Sequence, residues 1–202
     1  VGSSNNPVSG MAIATLLFST MLLKFFGKTG MAGMTAAITI GSVICIIEND
    51  EVHGTMGLVL NNCSSLKLND LFPELKELPE IPLFFGGPVS SDQLYYVHVW
   101  ESIPGAIEIV PGLYIGGDFE MVKGYLKQTG DLDSIRFFIG YSGWSPGQLE
   151  KEIEDGVWAV SDMLSPATCL QGEGDKFWRK VVASMDADYR KWLACPPQPY
   201  YN

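Results

Sequence analysis

Ile135-Arg-Phe-Phe-Ile-Gly-Tyr-Ser-Gly-Trp-Ser-Pro-Gly-Gln-Leu-Glu150 decides how this chain is read. Residues 135–139 are a short, dense apolar run, the pattern of a strand buried on both faces. Gly140 and Gly143 then relax the backbone, so residues 140–144 read as a tight strand-to-helix turn in which Trp144 packs. Ser145-Pro146-Gly147-Gln148 has the form of a capping box with proline at the first helical position, and Gly156 stands where a left-handed cap would end the helix. Residues 157–160 return to strand.

Outward from this unit the punctuation stays dense. Residues 42–48 and 55–61 are β-rich and are joined by the polar Asn49-Asp-Glu-Val-His-Gly54, a hairpin signal. Residues 66–78 form a short helical candidate broken by Pro73. Leu83-Phe-Phe85 runs into Gly86-Gly87-Pro88, and residues 94–100, 106–110 and 113–115 follow as short strands spaced by Pro104-Gly105 and Pro111-Gly112. A helix is expected from Asp118, a capping carboxylate, to Gly130. Residues 164–175 read as loop. Phe177, Val181, Val182, Met185, Tyr189, Trp192 and Leu193 draw one apolar face on a last helix, which Pro196-Pro197 ends. Strands outnumber helices and tight turns join many neighbours. The fold class is therefore α+β: a single domain of mixed, mostly antiparallel sheets with peripheral helices over residues 42–195, followed by a tail, 196–202.

The front is different material. Residues 1–47 carry Lys24 and Lys28 and no acid, so the net charge of −10 leaves −12 on residues 48–202. Residues 29–47 are uncharged and near the length that spans a bilayer. Gly30, Gly33, Thr35, Thr39 and Gly41 dilute them, however, and Val43-Ile-Cys-Ile-Ile47 is short and β-branched like a buried strand. The reading is against a membrane span: residues 1–41 are an apolar segment packing on or inserted in the domain. The acidic balance is the wrong sign for holding phosphate backbones, so no direct nucleic-acid contact is expected. Four cysteines without a CxxC pair fit neither a zinc ladder nor a disulfide scaffold, and a reducing, cytoplasmic setting is the default.

Candidate chemistry is thin. Gly140-Tyr-Ser142-Gly-Trp144 follows a strand and precedes a helix as a nucleophile elbow does, but Trp144 occupies the position where that motif has glycine. Both histidines, His53 and His98, precede the serine, and an activated serine needs a base. His98 is expected partly buried with a hydrogen-bond partner, and His53 solvated in its turn. Glu150, Glu152, Glu154 and Asp155 read as the solvated outer face of a helix, and Cys45 as a buried small hydrophobe. No catalytic residue, metal site or cofactor is assigned. Gly86-Gly87 and Gly116-Gly117 lack the further glycine or lysine of nucleotide cradles.

Several segments together resemble the YqgE/AlgH family of small bacterial proteins. They are Ser42-Val43 leading to Gly57-Leu-Val-Leu-Asn61, then Phe85-Gly-Gly-Pro-Val89, Gly116-Gly117-Asp118-Phe119, and above all the run from Arg136 to Glu150 with Trp158. The resemblance covers residues 42–160 and departs at the front, where an arginine usual in the family before Ser42-Val43 is missing. It implies coiled, mixed sheets and no established enzyme activity, with a transcriptional-regulator label on part of the family. The leading expectation is a non-enzymatic protein that binds an unidentified protein or small ligand where the Gly86-Gly87-Pro88 turn meets residues 140–148. The candidate residues are Gly86, Gly87, Pro88, Tyr141, Ser142, Trp144 and Gln148, with the amides of Gly86 and Gly87 open. Two alternatives are a regulator acting on DNA and a hydrolase using Ser142.

Overall fold

The computed structural model describes residues 36–39, 41–161 and 165–194. Except for Ala36–Thr39 and Gly41, the front segment lies outside them. Ten strands form one sheet system: β1 Ala36–Thr39, β2 Ser42–Asp50, β3 Gly54–Val59, β4 Cys63–Lys67, β5 Pro82–Phe85, β6 Val89–His98, β7 Ile107–Val110, β8 Leu113–Ile115, β9 Ile135–Trp144 and β10 Ala159–Ser161. Their order is β10-β1-β2-β3-β9-β6-β8-β7, with β5 joining β4 to β9. All pairings are antiparallel except that of β5 with β9. The expected α+β class, mixed and mostly antiparallel, is what folds.

β9 is the spine. Residues 135–141 pair with β6 along one edge, and on the other edge Phe137–Ile139 lie parallel to Leu83–Phe85 of β5. Beyond Gly140 that second edge changes partner: Ser142, Gly143 and Trp144 pair with Gly57, Met56 and Thr55 of β3. The expected strand-to-helix turn at residues 140–144 is thus a continuation of the strand. Gly140, at φ +67°, bends β9 without ending it, because β3 is waiting to accept its ladder.

Helices cover both faces. α1 (Leu68–Leu71) and α2 (Phe119–Thr129) close one face, where Leu68, Val122, Leu126, Leu83, Tyr96, Ile135 and Phe137 share a core. α5 (Gly174–Ser184) closes the other through Phe177, Trp178, Val181 and Val182, packed on Phe84, Phe138, Val43 and Cys45. α3 (Gln148–Glu154) covers Ile44 and Ile46 with Leu149 and Ile153. Successive residues of β2 and β9 therefore go to different cores, which is why those strands read as unbroken apolar runs.

The expected hairpin pairs Ile44 with Val59 through to Asp50 with Gly54. α2 is bounded as its sequence predicts: the Asp118 carboxylate accepts the amides of Glu120 and Met121 at 2.9 and 3.2 Å, and Gly130 turns at φ +64°. Two further expectations fail. Within the expected loop 164–175 lies α4 (Pro166–Leu170), capped by Ser165 Oγ on the Thr168 amide, a short Ser-Pro start that read as turn. The expected single last helix breaks at Met185, whose backbone is extended, and resumes as α6 (Ala187–Arg190) and a 3₁₀ turn, Lys191–Ala194. Its apolar face survives, since Trp192 reaches the same core as Trp178. No helix of the described residues is long and apolar enough to cross a membrane.

His98 is fully buried at the end of β6. Its Nδ1 accepts the Trp100 amide at 3.2 Å, so the proton sits on Nε2, which donates to the Gly116 carbonyl at 2.9 Å. Burial lowers its pKa below the ordinary histidine value. The unfolded chain then binds the proton more readily than the folded one, so stability holds above about pH 6.5 and falls as pH drops below it. Denaturation midpoints between about pH 7.5 and 5.5 should decline with acid, and His98→Gln should flatten that slope whatever it does to the midpoint itself.

Candidate functional site

At the turn after β5, two stretches of backbone touch. The Gly86 amide donates to the Ile139 carbonyl at 3.0 Å, and the Gly86 carbonyl accepts the Val59 amide at 2.9 Å and the Ser142 hydroxyl at 3.2 Å. A Cβ on Gly86 would lie 2.3 Å from the Gly140 carbonyl oxygen, one on Gly87 2.2 Å from the Tyr141 carbonyl carbon, and one on Gly140 2.5 Å from the Gly87 oxygen. Only glycines allow β5, β9 and β3 to meet here. The structure thus brings Gly86, Gly87, Tyr141 and Ser142 together, with Pro88 exposed beside them. The Gly86 amide is not open as expected, because the ladder to β9 uses it.

Trp144 and Gln148 belong to a neighbouring cluster. Trp144 is 8% exposed and meets Trp158 edge-on, ring centres 5.8 Å apart, so it packs and does not project. Its indole N–H donates to Glu152 Oε2 at 3.0 Å, the Trp158 indole donates to the same oxygen at 2.8 Å, and the Gln148 amide donates to Glu152 Oε1 at 2.9 Å. The acids of α3 were expected as a solvated outer face. Glu152 departs from that, because two indole donors with no nearer acceptor draw its carboxylate inward. Half of the expected capping box also forms: the Gln148 side chain accepts the Ser145 amide at 3.0 Å, while Gly147, at φ +72°, is the N-cap, so Pro146 lies before the helix.

Around Ser142 the half-buried Tyr141 stands edge-on to Tyr95, ring centres 5.7 Å apart, next to the exposed Val89 that pairs with it across the strands. Ser142 has the Gly86 carbonyl as its partner and, among the described residues, no histidine or carboxylate in hydrogen-bond contact. His53 is held in its hairpin turn by Asp50 Oδ1 at 2.9 Å, and the amides of His53 and Val52 hold the Asp50 carboxyl below its usual range. Among the described residues no group of three or more His, Cys, Asp or Glu side chains is placed to hold a metal ion.

Two residues escaped the sequence reading. Glu152 was hidden in a run of acids, and its signal was the pair of tryptophans, Trp144 and Trp158, flanking it with donors to satisfy. Arg136 is a lone cation inside a buried strand, 6% exposed, and a charge at that depth needs hydrogen-bond partners.

The sequence model described as AlgH-like matches residues 30–190. A UPF0301 protein of Parabacteroides distasonis is 41% identical over 164 residues, covering 80% of this chain and 82% of the relative. One of Chlorobium luteolum is 40% identical over 164 residues, 80% of this chain and 85% of the relative. The fold resembles the crystal structure of protein DIP2367 from Corynebacterium diphtheriae, with TM-score 0.67, 23% identity, and coverage of 85% of this chain and 96% of that one. It also resembles the solution structure of the AlgH protein from Pseudomonas aeruginosa, with TM-score 0.61, 22% identity, and coverage of 87% and 100%.

The Glu152 cluster yields a stability prediction. Glu152→Gln cannot accept on both oxygens, so an indole or the Gln148 amide loses its partner, at a cost of about 1–3 kcal/mol. Trp144→Ala, which empties a packed site, should cost about 3–5 kcal/mol. Chemical denaturation of both variants measures this, and a neutral Glu152→Gln would show that the carboxylate bonds carry no weight.

Proposed function

The chain belongs to the AlgH-like family, and from that premise we propose that it is a non-enzymatic binding protein whose contact surface is centred on the glycine crossing. The observation that carries this reading is the state of Ser142: its hydroxyl donates to a backbone carbonyl, and no base among the described residues touches it. Beside it, Tyr141, Val89 and Pro88 stand on a backbone that the contact between Gly86-Gly87 and Gly140 fixes. An amphipathic aromatic on a rigid support loses little conformational freedom when a partner covers it. The net charge of −10 disfavours direct grip on DNA, so a regulatory role would run through protein or small-ligand contacts. A reducing, cytoplasmic setting suits Cys45, Cys63 and Cys169, which are free thiols.

A fluorophosphonate probe should leave Ser142 unlabelled, and stoichiometric labelling at that residue would restore the hydrolase. Tyr141→Ala and Val89→Lys should each shift stability by under about 2 kcal/mol while abolishing the partners that the parent chain captures by cross-linking in cells. Retention of every partner by both variants would remove this surface from consideration.

A further inference from the structure

Arg136 is the only charged residue of β9, and the Glu173 carboxylate acts on its charge from beyond ion-pair distance. Nη1 donates to the Leu60 carbonyl at 2.8 Å and Nη2 to the Gly172 carbonyl at 2.6 Å, while the guanidinium carbon lies 4.3 Å from the centre of the Phe84 ring. These partners are neutral. Among the described residues no carboxylate is within ion-pair distance of it. Burial lowers its pKa to about 10, still well above neutrality, so a full positive charge stays inside the protein.

A guanidinium has five N–H groups in a planar fork, and the two carbonyls do not use them all. Arg136 keeps 6% of its surface exposed. It borders a cavity of about 280 Å³ whose walls include Ile81, Leu132 and Leu170 and whose lining also holds Asp133 and Glu173, both on exposed residues. One buried cation, two acids on exposed residues and several apolar side chains line the same cavity. A dianion such as phosphate would meet the two acids, and a neutral apolar molecule would leave the guanidinium unanswered.

We propose that this cavity binds a zwitterionic ligand of amino-acid size, its carboxylate on Arg136, its ammonium group toward Asp133 and Glu173, and its apolar side chain against Ile81, Leu132 and Leu170. The site lies before the kink of β9 and does not depend on the surface at the glycine crossing. Each part of the ligand answers one feature of the lining. A bidentate carboxylate meets the guanidinium fork with charge-assisted hydrogen bonds, in a setting whose low dielectric strengthens them.

The test titrates the full chain, by calorimetry and amide chemical shifts, with L-leucine, L-methionine, L-phenylalanine, N-acetyl-L-leucine, L-leucinamide and inorganic phosphate. At least one free amino acid should bind and move the amides of Phe137 and Gly172, and its amide and N-acetyl forms should bind at least about tenfold more weakly. Arg136→Lys should abolish binding. Because that variant also loses a buried fork, Asp133→Asn with Glu173→Gln, at exposed positions, supplies the second reading: the gap between leucine and N-acetyl-leucine should close to within about threefold while the denaturation midpoint holds. The proposal is overturned if no free amino acid binds up to about 10 mM, if leucinamide or phosphate binds as tightly as the amino acid, or if the double variant leaves the gap unchanged.

Discussion

The close approach of two backbones, Gly86-Gly87 against Gly140-Tyr141, is the constraint on which the architecture rests. β9 can serve one partner, β5, for its first half and another, β3, for its second only if β5 leaves the sheet where β3 enters it. The exit must occur within hydrogen-bond distance, and the Gly86 amide and carbonyl bridge the exchange by bonding to β9 on one side and β3 on the other. Any side chain at these glycines would overlap main-chain atoms, which cannot rotate away as a side chain can. The two halves of the sheet are therefore one object, joined through a single strand.

From that junction the packing follows. A strand shared by both halves is covered on both faces, and so Phe137 and Phe138, adjacent in sequence, lie in separate cores under α2 and α5. The cost of such burial falls on the polar groups that must enter with it. Asn61 answers it completely: its carboxamide oxygen takes the Val43 amide, its nitrogen reaches the carbonyls of Gly41 and Gly174, and its own carbonyl accepts the Gly174 amide, tying β2 to the start of α5. Arg136 is answered by neutral carbonyls and a ring, so it differs in kind from Asn61. One closes the structure, and the other keeps a charge within it.

What could be read from the sequence divides along the same line. The hairpin at residues 42–61, α2 with its Asp118 and Gly130 caps, and the glycine-bounded strands were legible because each is decided within a few residues by turn chemistry or capping. The continuation of β9 through residues 140–144 was not, since glycines after an apolar run signal a turn unless a distant strand supplies a ladder. The inward turn of Glu152 and the break at Met185 were hidden for the same reason: local charge and periodicity pointed one way, and partners remote in sequence settled the other. At the candidate site the glycines were visible, but the engagement of the Gly86 amide depends on Ile139, and nothing near residue 86 announces it.

The far end of the sheet has a different character. There β1, four residues long, lies between β2 and the three-residue β10, with Ala36 opposite Cys45 on one side and Ser161 on the other. β10 is fastened to the sheet only through a strand from the opposite end of the sequence, the kind of long-range closure that forms late in folding and frays first. The inner strand β2, nine residues with four consecutive buried apolar positions, is kept from being a free edge on that side, among the described residues, by β1. A proteolytic cut that released β1 would take β10 with it and uncover a long apolar edge, turning a covered strand into a template for self-association.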